Sequence, residues 1–132
     1  MTQVILDTQT LLWVFFAPER LPAEIAEMIA DSNSRVLFSA ASIWELAIKR
    51  SLGRPDFLFD PTATAEKALI TGFEELPIQS SAAARVADLP FLHRDPFDRL
   101  LVAQAIATPA YLLTSDRLLS GYSELVRTFD PV

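Results

Sequence analysis

Cysteine is absent from the 132 residues and histidine occurs once, at His93. Disulfides and thiolate metal sites are therefore excluded, and any bound metal has to be held by oxygen or by that single imidazole. Oxygen ligation points to magnesium or manganese. No apolar run approaches the roughly 18 residues needed to span a bilayer, so no membrane-spanning role is expected. Positive charge is also scarce, with 11 Lys and Arg against 17 Asp and Glu and a net charge of −6. That balance argues against a broad basic surface that wraps nucleic acid unaided. It leaves open an acidic pocket that becomes a phosphate site once divalent cations fill it.

Hydrophobic residues make up 51% of the chain and charged residues 21%. This is a globular balance, and the length suits one domain, residues 1–132, with a sizeable core. Met1 leads almost directly into a candidate strand, which leaves no room for a signal peptide, so a cytoplasmic location is expected. The chain then alternates in type. Apolar Gln3-Val4-Ile5-Leu6 reads as a buried strand ending in Asp7-Thr8, and Leu11 to Phe16 as a helix. Val36-Leu37-Phe38-Ser39 is a second strand, followed by a helix from Ala40 to Arg50, on which Trp44, Ile48 and Leu52 widen the apolar face and Glu45 falls at its edge. Phe73 to Ile78 is a short strand assigned to a sheet edge by Pro77. A helix from Pro96, a strand over Ala110 to Thr114, a short helix from Arg117 and a last strand near Leu125 to Phe129 complete the pattern. Strands alternating with helices predict βαβ units, a parallel sheet and an α/β sandwich.

Reactive groups in such sheets gather beyond the carboxyl ends of the strands. Asp7 and Asp116 each follow a strand there, Glu45 lies one to two turns into the helix after the second strand, and Asp98 opens the helix that leads to the fourth. Four acids that converge on one edge suggest a metal cage, because clustered carboxylates repel one another unless cations neutralise them. Each acid also has an ordinary structural role open to it. Asp7 and Asp95 stand where helix N-caps stand, and Asp95 before Pro96 is assigned to capping. Glu45 precedes Lys49 by four residues and so can form a surface ion pair. Thr8, Thr114 and Ser115 can hold a water or a neighbouring ligand, or cap strand ends; Arg99 can bind phosphate or pair with an acid. For His93 a structural hydrogen bond is favoured over metal ligation, since no second histidine exists to build a soft-metal site.

The chain resembles the PIN-domain family, and within it the VapC-type toxins of toxin–antitoxin pairs. The resemblance runs from Met1 to about Phe129 and rests on Leu6-Asp7-Thr8 with Leu11-Leu12-Trp13, on Ser39 to Lys49, on His93-Arg94-Asp95-Pro96-Phe97-Asp98-Arg99-Leu100-Leu101 and on Thr114-Ser115-Asp116. It implies a central parallel sheet in the order 3-2-1-4-5 with helices on both faces. It also implies Mg²⁺- or Mn²⁺-dependent endoribonuclease activity that leaves a 5′-phosphate and a 3′-hydroxyl. The family's acidic positions carry over onto Asp7, Glu45, Asp98 and Asp116. Of these, Asp7, Asp98 and Asp116 are the expected metal ligands, and Glu45 ligates or orients the attacking water. The implied partners are a cognate antitoxin, an RNA substrate and a second copy of the chain. Trp13, Phe15 and Phe16, with the Phe57-Leu58-Phe59 loop, are candidate contact surfaces, although core burial is favoured for Trp13. One departure is Gln9, which stands where many close relatives have His; an amide does not titrate near neutrality. The alternative reading is a PIN-like RNA-binding or processing module with weak or no catalysis.

Overall fold

The computed structural model describes all 132 residues. Strand β1 (Thr2–Leu6) leads into helix α1 (Thr8–Phe16), and after a 3₁₀ turn at Pro18–Arg20 comes α2 (Ala23–Ala30). Strand β2 (Ser34–Ser39) passes directly into α3 (Ala40–Ser51), followed by α4 (Pro61–Thr71), β3 (Glu74–Leu76) and α5 (Ser80–Arg85). Helix α6 (Pro96–Ala107), β4 (Tyr111–Thr114), a 3₁₀ segment (Arg117–Tyr122) and β5 (Val126–Thr128) complete the chain. The five strands form one parallel sheet in the order β3-β2-β1-β4-β5. The short strand containing Glu74 and ending before Pro77 lies at an edge, where a missing N–H breaks no ladder.

Side chains alternate between the two sheet faces, and the central strands are apolar on both. Val4 and Leu6 of β1, Val36 and Phe38 of β2 and Leu113 of β4 pack on one face with Leu11, Ile25 and Ala68 from α1, α2 and α4. Ile5, Leu37 and Leu112 pack on the other face with Leu101, Val102 and Ala105 of α6. Each wholly buried aliphatic side chain of this kind contributes about 1.5–3 kcal/mol relative to exposure. Helices on both faces make this a three-layer α/β sandwich. Gly72, at φ 101°, ends α4 in the left-handed region that a side chain would strain.

Helix α3 departs from the expected pattern. Its buried face carries Ala41, Ser42, Glu45 and Leu46, so Glu45 lies within the buried stripe and not at its edge. Trp44, Ile48 and Leu52, expected to widen that stripe, are exposed, Trp44 by 56%. β2 passes into the helix without a loop, and Ser42 and Glu45 on its buried face meet Thr8 just beyond the end of β1. Trp13 is partly buried and meets Phe129 edge-on, with ring centroids 6.1 Å apart.

Candidate active site

The strand ends at one sheet edge open into a cleft of about 390 Å³ lined by Asp7, Thr8, Gln9, Glu45, Lys49, Asp95, Asp98, Ser115 and Asp116, with Phe57 and Phe59 forming an apolar wall. All four acids singled out from the sequence line it. Phe59 stacks near Phe16 at 5.0 Å and near Phe57 at 5.3 Å, while Leu58 between them is 79% exposed. The loop is thus split between cleft wall and open surface.

Asp7 follows the last residue of β1 and caps α1, its Oδ1 accepting from the Thr10 N–H at 2.8 Å. Its Oδ2 accepts from the Thr114 hydroxyl at 2.6 Å. Capping and membership of the acidic cluster therefore coexist in one carboxylate, since each oxygen keeps a second lone pair. Thr114, wholly buried at the end of β4, also accepts from the Asp116 N–H at 3.1 Å. One hydroxyl thereby ties two acids from neighbouring strands. The Asp116 side chain caps the following 3₁₀ segment through Leu118 N–H at 3.0 Å.

Glu45 is 8% exposed. Its Oε1 accepts from the Thr8 hydroxyl at 2.6 Å, and its Oε2 lies 3.1 Å from Lys49 Nζ. The ion pair expected from spacing is present, but its acid is buried and both partners line the cleft. Thr8 Oγ1 is also 2.9 Å from the Ser42 hydroxyl. Asp95 caps α6, accepting from Phe97 N–H at 2.8 Å and Asp98 N–H at 3.3 Å.

Burial drives the Asp98 carboxyl up to about 7, and the negative charges of Asp95, Asp7 and Glu45 add to the rise, with His93 opposing them. Asp7 is also raised, first by burial and last by Glu45, against the lowering effect of its bonds to Thr10 and Thr114. In metal-free protein these acids hold protons more tightly than a solvated carboxylate does, because burial disfavours the charged form and their mutual repulsion adds to it. A hard divalent cation fits such a donor set. One ligand atom each from His93, Asp98 and Asp116 lies within 4.8 Å of the others, a group that contains the histidine in place of Asp7.

His93 stands in the acidic cluster itself, its Nε2 2.7 Å from Asp116 Oδ2 and 3.7 Å from Asp98 Oδ2. The sequence signal for this was slight. A histidine two residues ahead of an N-cap lies on the loop that approaches the sheet edge, but nothing in the spacing names the acid it meets. Arg99 pairs with no acid. Its guanidinium donates to the carbonyls of Val86, Leu89 and Pro90 and to the Tyr122 hydroxyl, and stacks over Phe91 at 4.7 Å. These contacts anchor the loop to α6. Ser115 lines the cleft, and Gln9 is exposed at its rim.

Among solved structures, the chain is similar to VapBC2 from Rickettsia felis bound to a DNA fragment from their promoter, with TM-score 0.73, 15% identity and coverage of 98% of this chain and 100% of that one. It is also similar to DNA-bound VapBC from Salmonella typhimurium, with TM-score 0.67, 18% identity and 98% of each chain covered. VapBC-1 from nontypeable Haemophilus influenzae aligns with TM-score 0.62 and 16% identity over 92% of this chain and 96% of that one. At these identities the likeness is one of fold. No curated protein sequence matches significantly. The family model for the PIN domain matches residues 4–125, nearly the full length. On that match, and with the sheet order and acidic strand ends described above, the chain belongs to the PIN domain family.

Proposed function

We propose that this PIN domain is a Mg²⁺- or Mn²⁺-dependent endoribonuclease of the VapC type, the toxin of a toxin–antitoxin pair acting in the cytoplasm. The observation that carries the reading is the convergence of Asp7, Glu45, Asp98 and Asp116 on one cleft, where Asp98 is pushed up to about 7. The likeness to VapBC complexes supports a toxin that works against a cognate antitoxin.

Asp7, Asp98 and Asp116 would hold the cation through hard oxygen donors. When bound, the metal supplies acidity to a water and positive charge to the phosphodiester. The Thr114 hydroxyl holds Asp7 Oδ2 in place. Glu45 orients the attacking water, with its Oε1 fixed by the Thr8 hydroxyl and its Oε2 by Lys49. In-line attack of water on phosphorus breaks the bond to the 3′ oxygen, leaving a 5′-phosphate and a 3′-hydroxyl. With one histidine in the chain, no imidazole pair serves attack by the 2′-hydroxyl. A homodimer is the expected free form.

The test is cleavage of mixed cellular RNA by the purified chain. EDTA abolishes cleavage and Mg²⁺ or Mn²⁺ restores it, while Asp7→Asn lowers the rate by more than the roughly ten- to hundredfold typical of losing a group behind a metal ligand. Expression without a partner arrests growth, and Asp7→Asn relieves the arrest while staying folded. Cleavage that resists chelation would sink the mechanism. RNA binding without cleavage in any divalent cation would make the chain a binding module.

A further inference from the structure

His93 stands beside Asp116 and Asp98 with no part in the reaction proposed above, and its surroundings restrict what it can do. The ring is largely buried, with 14% of the side chain exposed. Its Nδ1 accepts the backbone N–H of Asp95 at 3.0 Å, so that nitrogen carries no proton. A neutral imidazole then has its one N–H on Nε2, directed at Asp116 Oδ2 at 2.7 Å. Direct metal ligation through Nε2 would move the proton to Nδ1, placing one donor against another at the Asp95 amide. The 3.7 Å separation from Asp98 Oδ2 is too long for a hydrogen bond, so Asp116 is the acid that His93 holds.

The backbone behind the ring is pinned as well. The Tyr122 hydroxyl oxygen accepts from the N–H groups of Leu92 at 3.1 Å and His93 at 2.9 Å, and from Arg99 at 3.0 Å. Arg99 in turn grips three carbonyls of the loop from Val86 to Pro90. The imidazole is thus delivered to Asp116 by a chain of bonds that begins in α6.

We propose that His93 is a positioning residue of the metal site, whose Nε2–H orients the Asp116 carboxylate for the cation and which does not bind the cation itself. This rests on the metal-dependent reading above. Groups that hydrogen-bond a metal's carboxylate ligands typically govern affinity by about ten- to hundredfold.

The experiment is Mn²⁺ binding to the full chain, followed by electron paramagnetic resonance and by electron spin echo modulation from coordinated ¹⁴N. The wild type binds Mn²⁺ without a directly coordinated nitrogen. His93→Ala weakens binding by about tenfold or more. His93→Gln, whose amide N–H replaces the Nε2–H, recovers most of that loss. In an Asp116→Asn background, His93→Ala has little further effect, because the two groups act as one unit. A ¹⁴N coupling in the wild type that disappears in His93→Ala overturns the proposal, as does a folded His93→Ala that binds Mn²⁺ like the wild type. So does a folded His93→Gln that is as weak as His93→Ala. The nitrogen measurement on the wild type decides whether His93 ligates even if a variant fails to fold. Mn²⁺ binding in the expected pattern with no RNA cleavage removes the nuclease reading and leaves this one standing; a wild type that binds no Mn²⁺ removes both.

Discussion

Asp95 and Asp98 share the first turn of α6, yet their environments assign them opposite effects on stability. Asp95 accepts two first-turn N–H groups, so Asp95→Ala is expected to cost about 0.5–2 kcal/mol, measured by urea denaturation. The same substitution removes one of the charges that raise Asp98, so the Asp98 carboxyl should titrate lower in that variant. Asp98 itself behaves in the reverse way. Its carboxyl is raised from 3.8 to about 7 in the folded protein, so between those values the folded state keeps a proton that the unfolded chain releases. Its contribution is complete below about 3.8 and is lost as pH rises through 7. Metal-free protein should therefore lose Tm between about pH 4 and pH 7, and Asp98→Asn should flatten that slope. At the alkaline end the variant is expected to gain on the order of 1 kcal/mol, after allowance for screening of a partly exposed group. With Mg²⁺ present the advantage shrinks or reverses, because the wild type gains binding energy that Asn cannot match. Melts of both variants in EDTA and in Mg²⁺ check these outcomes. A steep slope retained by Asp98→Asn would show that another group titrates.

At the scale of elements, the cleft depends on the loop between α5 and α6, whose position is set by side chains outside it. Arg99 leaves α6 to bond Val86, Leu89 and Pro90 carbonyls, and Tyr122 bonds the Leu92 and His93 amides from the 3₁₀ segment. A lysine at position 99 offers a point charge where the planar guanidinium reaches several acceptors at once. Arg99→Lys and Tyr122→Phe are each expected to cost about 1–3 kcal/mol, because they leave polar groups at the loop unpaired. Faster hydrogen exchange at the Leu92 and His93 amides should accompany the Tyr122→Phe loss. Unchanged exchange at both amides would remove Tyr122 from this role.

The whole molecule carries a net charge of −6, and five of its 17 acids line the cleft where a phosphodiester is proposed to sit. Without cations, that field repels RNA. A cleavage-resistant RNA analogue, followed by fluorescence anisotropy, should bind weakly in EDTA and at least about tenfold more tightly with Mn²⁺. Equal affinity in both conditions would mean that the RNA sits away from the acidic cleft.

Much of this architecture could be read directly from the chain. Apolar runs of three or four residues at Val4–Leu6, Val36–Phe38 and Ala110–Leu113 determined the three central strands of the parallel sheet, because strands buried on both faces must be apolar throughout. Asp95 with Pro96 determined the start of α6, since capping is a local interaction. Asp7 and Asp116 were legible as acids at strand ends, for a parallel sheet puts those ends along one edge. Only the tertiary structure decided the rest. Periodicity on α3 cannot tell which side of an apolar stripe turns inward, so the burial of Glu45 and the exposure of Trp44 were decided by packing, with Ser42 and Glu45 meeting Thr8. The bond from His93 to Asp116 spans 23 residues, and Thr114 reaches Asp7 across 107. No local pattern encodes such pairs, because they exist only once strands and loops distant in sequence have packed side by side.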